Sequence, residues 1–80
     1  MKVTIWSKDQ CAFCDQAKNL LMSRDIEFEE RKIGYNATRE QLLEAVPNAR
    51  TVPQIFVDEQ HIGGYAELRR HLGKIGRAHV

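Results

Sequence analysis

Lys2-Val3-Thr4-Ile5-Trp6, then the polar link Ser7-Lys8-Asp9-Gln10, then Cys11-Ala12-Phe13-Cys14 is the stretch that decides how this chain folds. The first five residues are β-rich and short, which reads as a strand. From Phe13 onward, Cys14, Ala17, Leu20, Leu21 and Arg24 recur at helical spacing, with the apolar members on one face. The chain's only two cysteines thus sit where strand gives way to helix. A Cys-x-x-Cys pair at the strand-to-helix turn of a small βαβ unit reads as a redox motif. The first thiol lies near a helix N-terminus, where backbone N–H groups are unpaired and the dipole is positive. That field favours the thiolate, which is the reactive species. The second thiol is close enough to attack a mixed disulfide formed on the first.

Working outward, Ile26, Phe28 and Ile33 mark a second strand interrupted by charges. After the loop at Asn36-Ala37, Thr38-Arg39-Glu40-Gln41 matches a capping box, with Thr38 as N-cap and Gln41 reaching back. Leu42, Leu43 and Val46 continue that helix until Pro47-Asn48 stops it. Gln54-Ile55-Phe56-Val57 is a third strand, Asp58-Glu59-Gln60 a tight turn, and His61-Ile62 the start of a fourth strand that Gly63-Gly64 breaks. Tyr65 to Leu72 is a third helix with Leu68 and Leu72 inward. The order βαβ–α–ββα predicts an α/β fold with a four-stranded mixed sheet and three helices. The first two strands should be parallel because a helix crosses between them, and the last two should form an antiparallel hairpin. Trp6 and Phe56 read as core, and His61 as a surface strand residue.

Eighty residues suffice for one small domain with one core. Hydrophobic residues at 42% and charged residues at 29% mark a globular chain, and a net charge of +1 gives no electrostatic case for nucleic acid or a membrane surface. No stretch has the apolar length of a membrane span, and the first residues turn polar too soon for a signal peptide. A reducing cytoplasm is the expected location. There a lone cysteine pair is catalytic or metal-binding rather than a staple. A structural zinc needs four ligands, and His61, His71 and His79 are not spaced as a pair, so no metal site is expected. Residues 1–72 form the expected domain, and Gly73 to Val80 a tail without core periodicity. Ile75 to Val80 resembles the in-frame translation of a sequencing adapter and is read as a non-native scar, which places the native C-terminus elsewhere.

Four blocks, in order and at this spacing, carry a resemblance: Lys8; Cys11-Ala12-Phe13-Cys14; Arg50-Thr51-Val52-Pro53-Gln54-Ile55-Phe56; and Gly63-Gly64-Tyr65. From Met1 to about Leu72 the chain resembles a glutaredoxin of the thioredoxin fold. The resemblance implies that Cys11 and Cys14 are catalytic. It implies a cis Pro53 facing them, with the Val52 backbone exposed as a strand-like edge for a peptide-like substrate. It implies further that Lys8 faces a glutathione carboxylate, and that Phe13, Thr51, Val52, Pro53, Gly64 and Tyr65 shape the glutathione site. The Gly63-Gly64-Tyr65 segment would take the γ-glutamyl end, with Glu67 near its amine. Arg39 and Gln41 read as an exposed helix face, with reach to a glutathione carboxylate as the alternative. Two positions depart from the usual Cys-Pro-Tyr-Cys. Ala12 keeps an N–H that proline lacks, and Phe13 keeps the aromatic face without the hydroxyl.

The implied activity is glutathione-dependent thiol–disulfide exchange on protein disulfides and glutathionylated proteins, by a chain monomeric in the apo form. Two alternatives stand beside it. Without proline at position 12, Cys11 and glutathione from two subunits could hold a [2Fe–2S] cluster. Or the chain is a redoxin recycled by thioredoxin reductase that serves ribonucleotide reductase.

Overall fold

Every second residue of Val3–Ser7 points into the same apolar layer, and the architecture grows from that alternation. The computed structural model describes residues 1–77, with side-chain environments through residue 73. Its elements are β1 (Val3–Ser7), α1 (Ala12–Ser23), β2 (Phe28–Lys32), α2 (Arg39–Ala45), β3 (Gln54–Val57), β4 (Gln60–Gly63) and α3 (Tyr65–Arg77). The four strands form one mixed sheet in the order β2-β1-β3-β4. β1 runs parallel to β2 and antiparallel to β3, and β3 pairs antiparallel with β4. Fold class, strand directions and element order are those expected.

Val3 and Ile5 of β1 and Ile55 and Val57 of β3 face one side, where Ala17 and Leu21 of α1 and Leu68 and Leu72 of α3 cover them. The intervening residues face the other side. There Trp6 packs with Ala37, Leu42 and Val46, and Phe56 lies half-buried against them. The sheet is therefore enclosed on one face by two helices and on the other by the short α2. Leu43 lies outside this second cluster and is exposed.

The capping box is realised in full: the Gln41 N–H donates to Thr38 Oγ1 at 3.1 Å, and the Thr38 N–H donates to Gln41 Oε1 at 2.9 Å. The hairpin turn is tight because Asp58 and Glu59 both take left-handed φ values, 51° and 68°. Such a pair matches the twist of two antiparallel strands. Asp58 also ties the turn to the start of the chain, its Oδ1 accepting from the Lys2 N–H at 2.9 Å.

Boundaries differ from the sequence reading at β1, which takes in Ser7 and not Lys2, at α2, which ends at Ala45 with Val46 as C-cap, at β4, which begins at Gln60, and at three more elements. β2 is Phe28–Lys32, so Ile26 lies outside it and Ile33 makes only an isolated bridge to Ala37. β2 is an edge strand, and its charged residues Glu29 and Arg31 occupy the more open face. α1 stops at Ser23, with Arg24 as C-cap and Asp25 left-handed at φ 56°. α3 continues past Leu72 to Arg77, because helical hydrogen bonding propagates without an apolar face. Ala78-His79-Val80, the end of the expected tail, lie outside the described residues.

One polar cluster sits under α1. The fully buried Ser7 donates its hydroxyl to Glu30, and Lys18 Nζ lies 2.8 Å from the same carboxylate. Burial pushes the Glu30 carboxyl up, but the hydrogen bonds from Lys18 and Ser7 outweigh it and hold it below its ordinary 4.5. A carboxyl lowered on folding adds stability above its unfolded value, and that stability is lost as pH falls through the folded value. Glu30→Gln should therefore destabilise the protein at neutral pH, and its gap to the native chain should close below pH 4.5. Urea midpoints at both pH values would test this, and a gap independent of pH would refute it.

Candidate active site at the start of the first helix

Cys11 is the N-cap of α1, in extended backbone at φ −120° and ψ 101°. Its Sγ accepts from the Cys14 N–H at 3.2 Å, so the sulfur occupies the place a serine or aspartate oxygen takes at other helix starts. A thiolate there meets both a hydrogen-bond donor and the positive end of the helix. Cys11 and Cys14 are joined as a disulfide, with their Cα atoms 5.2 Å apart. The two sulfurs are unequal: Cys14 is 0% exposed, whereas Cys11 is half-buried at the surface.

The loop before Cys11 is tied to the turn after β2. Tyr35 donates its hydroxyl to Asp9 at 2.7 Å, and Lys32 Nζ lies 3.1 Å from the same carboxylate. The Tyr35 hydrogen bond, then Lys32, holds the Asp9 carboxyl below its usual value. Lys32 also sits over the Tyr35 ring, 4.6 Å from its centroid.

Facing the disulfide is the loop that leads into β3. The Val52–Pro53 peptide is cis, Pro53 is buried, and the Val52 carbonyl oxygen lies 3.5 Å from Cys11 Sγ. Beside them runs a groove of about 410 Å³ lined by Phe13, Thr51, Val52, Pro53, Gly64, Tyr65 and Ala66. Phe13 is 59% exposed, and its ring pairs with Tyr65 at 6.1 Å between centroids. The first turn of α3 forms the far wall. A Cβ on Gly64 would stand 3.4 Å from the Pro53 carbonyl oxygen, at van der Waals contact, so the loop and the start of α3 lie against each other.

Six residues expected from the sequence thus share one groove: Phe13, Thr51, Val52, Pro53, Gly64 and Tyr65. Lys8 lies apart from them, in a smaller recess of about 100 Å³ that also touches Thr51 and Val52. Arg39 and Arg50 line that recess, which makes it basic. For Arg39 the sequence left helix surface and contact with a carboxylate both open; the fold brings the start of α2 to the same recess as Lys8. Gln41 is engaged in the α2 cap. Glu67 stands behind the groove wall. Its Oε1 accepts from the Gly64 N–H at 2.8 Å, and Arg70 lies 3.2 Å from its Oε2. The Gly64 bond holds the Glu67 carboxyl below its ordinary value. Ala66 lines the groove without a sequence signal, since an alanine carries none.

A family model described as Glutaredoxin matches residues 3–62, most of the chain and all of the site except Gly64 and the start of α3. The chain belongs to the glutaredoxin family. It is 42% identical over 66 residues to glutaredoxin 3 of Escherichia coli, a match covering 82% of this chain and 80% of that one. The solved structure of glutaredoxin 1 from Francisella tularensis, complexed with cacodylate, superposes with a TM-score of 0.77 at 34% identity, covering 92% of this chain and 94% of that one. A buckwheat glutaredoxin–glutathione complex superposes at 0.74 with 25% identity, covering 90% and 69%. Glutaredoxins are thiol oxidoreductases, and this one carries a Cys-x-x-Cys redox site on the thioredoxin fold. Among the described residues, no helix is long and apolar enough to cross a membrane, and no three or more His, Cys, Asp or Glu side chains group as a metal site.

Proposed function

We propose that this glutaredoxin is a glutathione-dependent thiol–disulfide oxidoreductase, with Cys11 as nucleophile and Cys14 as resolving thiol. One observation carries the reading. A backbone edge at Val52, an uncharged groove and a basic recess converge beside the accessible sulfur of Cys11. That combination suits a short peptide thiol with a terminal carboxylate. The peptide backbone pairs with Val52, and the carboxylate meets Lys8, Arg39 and Arg50. The buckwheat relative, solved with glutathione, supports the same ligand.

With a glutathionylated protein, the Cys11 thiolate attacks the glutathione sulfur and the protein leaves as its thiolate. A second glutathione thiolate then attacks the glutathione sulfur held on Cys11. Oxidised glutathione departs and the Cys11 thiolate is restored. With a protein disulfide, Cys11 forms a mixed disulfide, and Cys14, once deprotonated, attacks Cys11 Sγ. The protein leaves reduced and the Cys11–Cys14 disulfide remains. Two glutathiones reduce that bond, becoming one molecule of oxidised glutathione. Lys8, Arg39 and Arg50 orient the glutathione, and the Cys14 N–H steadies the charge on Cys11.

The cluster-carrier alternative draws on the same accessible sulfur: it needs only Cys11 and glutathione from each of two subunits, and the enclosed Cys14 takes no part in it. The test is turnover of a glutathionylated peptide with glutathione and glutathione reductase, run beside a thioredoxin-reductase assay. Oxidation of NADPH in the first assay and not the second is expected. The reverse pattern would replace glutathione with the other reductant.

A further inference from the structure

His61 sits exposed on β4, where a histidine reads as ordinary strand surface. Its contacts are specific. Its Nε2 lies 2.7 Å from Gln54 Oε1, and the Gln54 Nε2 donates to the Thr51 carbonyl at 2.8 Å. Its ring packs on Phe56 with centroids 5.1 Å apart.

The chemistry of the far end sets the direction of the whole chain. A carbonyl oxygen only accepts, so the Gln54 amide must turn its NH₂ toward Thr51. Gln54 Oε1 then faces His61, and the imidazole must present a hydrogen there. Neutral His61 is therefore the Nε2–H tautomer. The opposite tautomer would set two acceptors against each other at 2.7 Å.

The Thr51 carbonyl and the Val52 N–H belong to one planar peptide unit. Holding the oxygen fixes the plane, and the plane fixes where the Val52 N–H points. That N–H belongs to the backbone edge offered to substrate beside Cys11. We propose that His61 is a positioning residue for substrate binding, acting through Gln54 on the Thr51–Val52 peptide. The inference rests on the glutathione-dependent reading above and adds to it a residue outside the groove.

His61→Phe keeps a ring on Phe56 and removes the N–H. With a glutathionylated peptide, KM should rise about three- to tenfold, the loss expected for one hydrogen bond. The maximal rate and the alkylation rate of reduced Cys11 by iodoacetamide should not change. The Val52 amide should exchange its hydrogen faster than in the native chain, and nitrogen chemical shifts of neutral His61 should show the Nε2–H form. An unchanged KM in an active enzyme, unchanged Val52 exchange, or the Nδ1–H tautomer would each overturn the proposal. So would a parallel fall in alkylation rate, which would signal general disturbance of the site. A native chain inactive on this substrate would count against the glutathione reading alone, and the exchange comparison would still decide the role of His61.

Discussion

Cys11→Ser should reduce turnover of every disulfide substrate to background, while Cys14→Ser should lose only one of the two reactions. The asymmetry follows from where the sulfurs lie. Cys11 is the accessible one, at the helix N-cap, with the Cys14 N–H on it. The chain's one other cysteine, Cys14, is enclosed and cannot replace it. Cys14 is enclosed and meets only a sulfur already bound to Cys11. Removal of glutathione from a modified protein never needs that second attack. In Cys14→Ser this reaction should continue near the native rate. Reduction of protein disulfides should fall by roughly tenfold or more, a barrier change of at least about 1.4 kcal/mol. Parallel assays on a glutathionylated peptide and a protein disulfide would decide. If Cys14→Ser were inactive in both, the single-thiol route would be wrong for this protein.

Leu68→Ala should cost about 2–5 kcal/mol of folding stability. Leu68 is fully buried on α3, against the sheet residues Ile55 and Val57 and against α1. A domain of this size has only about 5–15 kcal/mol in total, so the variant should melt at least about 10 °C lower. Leu43→Ala is the matched control. That leucine is 39% exposed on α2, and its loss should stay within about 0.5 kcal/mol. Thermal and urea unfolding of the two variants would test the core assignment. Equal losses would mean that the inward face of α3 is misplaced.

The site was legible from sequence wherever a local pattern stood for it. Cys11 and Cys14 are set by one helix start, so spacing joined them; Thr51, Val52 and Pro53 lie in one turn, and the resemblance to glutaredoxins, not spacing, marked them. The capping box at Thr38 and Gln41 was likewise complete within four residues. What escaped the reading, or stayed open in it, depends on residues far apart. Arg39 stayed open between helix surface and a carboxylate contact until α2 docks on the sheet, and His61 reaches Thr51 only through Gln54 across a strand pair. Ser7, Lys18 and Glu30 meet across two strands and a helix. Glu67 shows a different limit. Its place beside the glutathione amine is implied by the resemblance, whereas its bond from the Gly64 N–H comes only with the folded turn before α3. β2 was blurred because an edge strand carries charges that interrupt its alternation.

In the proposed cycle, the unequal depth of the two sulfurs also sets the regiochemistry of the return half. A reducing thiol arriving from solvent can strike only the Cys11 side of the ring, so Cys14 is always the first leaving group. Of the two isomeric adducts that a symmetric disulfide would give, one is formed. Every molecule of enzyme therefore passes through the same intermediate, whichever thiol opens it, and that intermediate carries its cargo next to the Val52 edge. Concealing one sulfur removes a branch from the reaction sequence without any side chain being assigned to block it.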